Sequence, residues 1–372
     1  MKKIIIRLAS ILFGIFFALL LIEFSLRLFG SERTSYTQPD EILGLSYTPN
    51  AIYKFNPPEG CAGWGSEGRI NSKGLRDYEY NYQKTSGTFR ILALGDSFTE
   101  GMQHPLEVTW TKLLEKQLND RGDGIHYEVI NAGLGGIGTS KEYLFFTHEG
   151  YRFSPDMVIL LFYRNDIEEN SKELRSRADI GPFFIVDNGQ LVLDDSFNKS
   201  FIFKLKSLIQ TIRSKSYVVS LVTRVLFAQV RRPEAVKEEE KSMYVSASGQ
   251  AKLPEQIKVE VDKAMEVTQR LLVELDYVVH NNGARLVVFN IDDISIAGSD
   301  QPNKLLTEVT KSQGIPYYDL SPDFDKYRQS TGEYIFGCAE NNGEGHWSQA
   351  GHAQAAKLMF EFLLSQLLLP KK

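Results

Sequence analysis

From Arg90 onward the chain alternates short apolar runs with stretches of helical period, and that alternation restricts it to a mainly parallel sheet wrapped by helices. The runs at 91–94, 127–130, 157–162, 285–290 and 316–320 are too short for helices. Their consecutive apolar residues suit strands buried on both faces. Helical signals fill about 106–119, 139–148, 258–281, 302–313 and 348–368. Within 258–281, Val261, Met265, Leu272, Leu275 and Val279 recur close to the helical period, and Asn281-Asn282-Gly283 supplies a stop. The 372 residues, 42% hydrophobic and 24% charged, provide for one large globular domain or two small ones.

Two segments interrupt the pattern. Residues 31 to about 88 are rich in Gly, Pro, Tyr and Asn without a sustained helical period, and read as a loop-rich lead-in with short strands packed on the main domain. Residues from about 171 to 257 form an insertion between two sheet strands. Within it, 183–193 reads as a hairpin turning on Asn188-Gly189, followed by an apolar-rich helix over about 203–230 and a charged, mobile connection at 231–241. Such an insertion is placed to cover the strand ends as a lid, or to serve as a plain packing elaboration.

At the N-terminus, Lys2, Lys3 and Arg7 precede an uncharged run over 8–22. Extended back through Ile4, it approaches the roughly 20 residues of a spanning helix, provided Arg7 snorkels to the interface. A basic start and apolar centre also fit a cleaved signal peptide, but no small-x-small cleavage site follows. The expectation is an uncleaved signal anchor over 1–30. Positive charge is denser before the run than after it, which keeps the N-terminus cytoplasmic and places the body outside, in a periplasm or at the cell surface. The only cysteines, Cys61 and Cys338, match no zinc or redox spacing. They are two free thiols or one disulfide, which export would permit. A net charge of −5 without a basic footprint argues against nucleic acid as a partner, and no ligand cluster has metal spacing, so neither metal nor cofactor is expected.

Four segments carry chemistry. Gly95-Asp96-Ser97 follows the first apolar run, so Ser97 falls at a strand's C-terminal end, where open α/β sheets bind ligands. A serine there suits a nucleophile, and equally a helix cap. Near the other end, the loop Asn342-Gly343-Glu344-Gly345-His346-Trp347 leads into a helix. His346 can shuttle protons near neutrality, and Glu344 is placed to orient its imidazole. The glycines of 133–138 follow the second strand and offer bare backbone N–H groups, while Asn165 follows the third with an amide side chain. Together they are the donors an oxyanion hole requires.

These segments together resemble the SGNH (GDSL-like) hydrolase superfamily, which carries four separated blocks in this order. Ser97 matches the first block as nucleophile. Gly136 best matches the glycine of the second, with Gly135 and Gly138 within a residue or two. Asn165 matches the third and His346 the last. Two positions depart from the pattern: Tyr163 stands where the third block has glycine, and Gly343 stands where the acid commonly lies, leaving Glu344 as the candidate and Asp292 and Asp293 as alternatives. The Gly74-Leu75-Arg76-Asp77 run also looks like what precedes the first block in membrane-anchored relatives. The resemblance implies a flavodoxin-like three-layer α/β/α sandwich over about 88–370 and an acyl-enzyme mechanism without cofactor. Membrane-tethered relatives often act on O-acetyl groups of polysaccharide, so an acylated glycan or small ester is the implied substrate. An O-acetyltransferase with the same triad, a lipid-directed esterase and a non-catalytic glycan-binding protein of the same fold are the competing readings.

Overall fold

The computed structural model describes residues 2–29, 36–57, 60–61, 63–175, 181–230, 255–291, 301–338 and 345–370. The first helix, α1 (Lys2–Phe29), is long and apolar enough to cross a membrane, a property it shares with signal sequences, and its apolar side chains are exposed. The lead-in forms two small antiparallel pairs, β1 (Thr37–Asp40) with β2 (Gly44–Tyr47) and β3 (Ile52–Phe55) with β4 (Ser66–Arg69). Tyr47, Tyr53 and Ile70 from this segment pack with Met102, Leu134 and Ile137. Its Arg76-Asp77 pair is buried. Arg76 donates to the carbonyls of Glu100 at 2.8 Å and of His104, and Asp77 accepts the Asn131 N–H at 2.6 Å while pairing with Lys112 at 2.9 Å.

The main body then runs β5 (Thr88–Gly95), α2 (Ser97–Glu100), α3 (Trp110–Asn119), β6 (His126–Asn131), α4 (Thr139–His148), β7 (Met157–Tyr163) and α5 (Asn165–Glu169). After it come the hairpin β8 (Phe183–Asp187) and β9 (Gln190–Asp194), then α6 (Phe201–Lys215) and α7 (Tyr217–Val230). The chain closes with α8 (Glu255–Asn281), β10 (Arg285–Ile291), α9 (Gln301–Gln313), β11 (Tyr317–Asp319), α10 (Ser321–Thr331) and α11 (Gln349–Ser365). The five strands β11-β10-β7-β5-β6 form one wholly parallel sheet. That order is flavodoxin-like and makes β5 the point where the winding reverses, since β6 lies on one side of it and β7 on the other.

Period-two alternation divides the core. Leu92 and Leu94 of β5 pack beneath α4, α8 and α9, whereas Ile91 and Ala93 face Trp110 and Leu114 of α3 and Ala355 and Met359 of α11. Both faces are covered, which accounts for the unbroken apolar runs and completes a three-layer α/β/α sandwich.

Two boundaries differ from the sequence expectation. The helix expected over 106–119 begins as a 3-10 turn, Leu106–Val108, and restarts after an extended Thr109. The single helix expected over 203–230 is two helices broken at Ser216, an extended residue (φ −132°) whose hydroxyl accepts the Val219 N–H. The connection at 231–241 lies outside the described residues.

Candidate active site

Ser97 is the first residue of α2, immediately beyond β5. The turn is fixed by Asp96, whose carboxylate accepts the Phe98 N–H at 2.9 Å as helix cap. The same carboxylate accepts from Asn165 Nδ2 at 3.0 Å, so the end of β7 is tied to the end of β5 through the residue beside Ser97. Burial pushes the Asp96 carboxyl up to about 6, against the pull of these two donors.

His346 comes from the far end of the chain. Its carbonyl accepts the Gly337 N–H at 2.7 Å, Trp347 bridges to Phe336, and the Ser348 N–H donates to the Ile335 carbonyl at 2.8 Å. Next to this bridge, Cys338 is disulfide-bonded to Cys61, tying the lead-in to the histidine segment. On the opposite side, His104 Nε2 lies 2.9 Å from the Trp347 carbonyl. So held, His346 Nε2 stands 2.8 Å from Ser97 Oγ. Burial, and secondarily the nearby His104, lower the imidazole pKa to about 4.

The loop after β6 closes over α2. Its Ala132 and Leu134 N–H groups donate to the Ala93 and Gly95 carbonyls at 2.9 and 3.2 Å. Gly133 lies so near the Thr99–Glu100 backbone that a Cβ there would collide with it. Gly136 adopts φ +72° with open space where a side chain would project, leaving its backbone uncovered. Thus Ser97 and His346 are in direct contact, Asn165 joins them through Asp96, and the Gly136 loop is packed on the Ser97 helix. Glu344, Asp292 and Asp293 lie outside the described residues.

A family model described as the GDSL-like lipase/acylhydrolase family matches residues 93–354. The chain belongs to that family. It is thereby an SGNH-type member of a class that acts on esters. Among solved structures, the GDSL-like chain is similar to a lipase/acylhydrolase from Enterococcus faecalis at 15% identity, over 76% of this chain and 99% of that one, TM-score 0.40. It is also similar to the acetyl xylan esterase AlAXEase at 14% identity, over 73% and 98%, TM-score 0.39. A third is a two-domain esterase active on acetylated mannans, at 12% identity over 77% of this chain and 51% of that one, TM-score 0.40. No curated protein matches the chain.

Tyr163, which departs from the family's glycine, packs its ring 4.9 Å from that of Phe98, and Phe98 lies 5.3 Å from the His346 ring. The larger side chain therefore extends the aromatic wall behind the histidine. Sequence reasoning missed three acids buried behind Ser97. Glu100, at the end of α2, accepts from the Gly135 backbone and is pushed up to about 8 by burial. Glu142 in the first turn of α4 and Asp166 in α5 are held well above the carboxylate range by burial and by repulsion within the group that includes Asp96. The Thr139 hydroxyl donates to Asp166 at 3.3 Å. Charged residues on short or terminal helical turns are usually solvated, so no local signal marks these as buried.

Proposed function

We propose that the protein is a serine esterase that removes O-acyl groups, chiefly O-acetyl, from carbohydrate through an acyl-enzyme. The observation that carries this reading is the 2.8 Å approach of Ser97 Oγ to His346 Nε2. A neutral imidazole accepts the hydroxyl proton as Ser97 attacks the ester carbonyl, then returns it to the leaving alcohol and activates water for deacylation. The developing oxyanion is received by the Ser97 and Gly136 N–H groups and by Asn165, whose Nδ2 has a second hydrogen beyond the one given to Asp96. Glu344 completes the triad. In this reading residues 1–30 anchor the chain in a membrane with the body extracytoplasmic. The lead-in of 31–88 packs on a hydrolase domain of 89–372 that carries the 171–257 insertion. The O-acetyl carbohydrate substrate follows the habit of membrane-tethered relatives.

The test is acetate release from acetylated glycans by the detergent-solubilised full chain, paired with labelling by a fluorophosphonate. Stoichiometric modification of Ser97, and loss of release in Ser97→Ala with an unchanged unfolding curve, are expected. Acetate passed to a glycan acceptor instead of water would identify a transferase, and an unlabelled, inactive protein would reject the enzymatic reading.

A further inference from the structure

We infer that α6 is an interfacial membrane helix, seating its exposed apolar stripe in the headgroup–acyl boundary of the bilayer that α1 crosses. The inference rests on the proposed reading of α1 as a membrane span.

The first observation is the face that α6 leaves uncovered. Phe201, Leu205, Leu208 and Ile212 fall within about 60° of arc at the helical advance of roughly 100° per residue. All four are exposed, Phe201 by 76% and Leu208 by 56%. The opposite side meets the protein: Phe203 is buried, and Gln210 Nε2 donates to the Thr37 carbonyl of β1 at 3.4 Å. The apolar stripe is therefore turned away from the body.

The second observation is charge. Lys204 and Lys215 flank the stripe on one side; beyond its other edge come Ile209 and Ile202, and only then Arg213 and Lys206. Across 201–230 there are five basic residues and no Asp or Glu, in a chain whose net charge is −5. An apolar stripe bordered by cations, in a segment without acids, fits a surface that is apolar inside and anionic at its rim, as a bilayer containing acidic lipids is.

The third observation fixes the level. Near the C-terminal end of α1, Glu23 accepts the Ser216 hydroxyl at 2.9 Å and the Tyr217 and Val218 N–H groups at 3.1 and 3.0 Å. Those two amides open α7, whose first N–H groups have no partner within their own helix. Arg27 pairs with Glu23 at 2.9 Å and donates to the Lys215 carbonyl at 3.1 Å. The α6–α7 corner is thus bound to the turn of α1 where a spanning helix would leave the hydrocarbon. A helix that ends at that corner with an uncovered apolar face lies at the boundary itself. Two attachments, one spanning and one lateral, restrict rotation of the body about the anchor.

The test uses the full chain in vesicles of phosphatidylcholine and phosphatidylglycerol, with lipids brominated at shallow or deep acyl positions. Leu208→Trp and Phe16→Trp are made separately, and each is read as the difference from the parent's own tryptophan emission. Leu208 is exposed, so the larger ring displaces no packing. Loss of most of the added emission from Leu208→Trp with shallow bromines is expected, and from Phe16→Trp with deep ones. Leu208→Trp emission untouched by any brominated lipid, with Phe16→Trp quenched, would overturn the inference while leaving the anchor standing. An unquenched Phe16→Trp would instead remove the anchor reading on which it rests.

Discussion

The ring of His346 is bordered by Phe98 and Ser97, and burial, with repulsion from His104, rather than any described carboxylate governs its proton affinity. A base must be neutral to act, so kcat/KM should rise with pH through an acid limb set by His346. Burial and His104 lower the imidazole to about 4, and the Glu344 carboxylate proposed as its partner should raise the limb from there. A rate profile on a soluble ester measures it, and a limb that stays near 4 would remove Glu344 from the triad. Asn165 gives a separate handle. Asn165→Ala should lower kcat by about a hundred- to a thousandfold while changing KM little, because its second N–H meets charge that exists only in the transition state. At this scale the sequence was legible where chemistry needs a rare local pattern: Gly-Asp-Ser after a buried strand, and Gly-His-Trp ahead of a helix. Glu100, Glu142 and Asp166 were illegible, since their protonation follows from neighbours far away in sequence.

Among the elements, α2 is only four residues long and depends on its surroundings for support. The β6 loop bears on it from one side through Gly133, and Arg76 holds the Glu100 carbonyl from another. Gly133→Ala should therefore shift α2, lowering stability by about 1–3 kcal/mol. Esterase activity should fall with it, as urea unfolding and ester hydrolysis would both register. A variant of parental stability and activity would show that the loop gives way freely. The sheet strands were readable because burial on both faces leaves continuous apolar runs. The break at Ser216 was not readable, because neither Gly nor Pro marks it. The groups that satisfy the new helix start belong to Glu23, nearly two hundred residues away.

For the molecule as a whole, buried titratable groups of both kinds set the response to pH. The acids have folded pKa values raised above the unfolded 3.8 to 4.5, to about 6 for Asp96 and about 8 for Glu100. Their contribution to stability is complete below that range and is lost as pH rises through the folded values. His346 and His352 are lowered from 6.5, so their contribution is complete above 6.5 and is lost on acidification. Between about 4.5 and 6.5 the trends oppose one another. Above 6.5 the raised acids Glu100, Glu142 and Asp166 still lower stability as pH rises, while Lys141, lowered by burial to about 7, works against them. With three acids against one lysine, the urea midpoint should fall from pH 7 to 9. A midpoint that rises over that interval would mean that Lys141 outweighs the carboxyls. The fold class was readable at this scale from alternation alone, whereas the seating of the lead-in was not, because it depends on Tyr47, Tyr53 and the buried Arg76-Asp77 pair meeting distant loops. The bond between Cys61 and Cys338 spans a separation of 277 residues. Because synthesis proceeds from the N-terminus, Cys61 must wait as a lone thiol until Cys338 has emerged. The stretch that seals that ring also delivers His346 to Ser97, so a chain truncated before it would emerge unsealed and without that histidine.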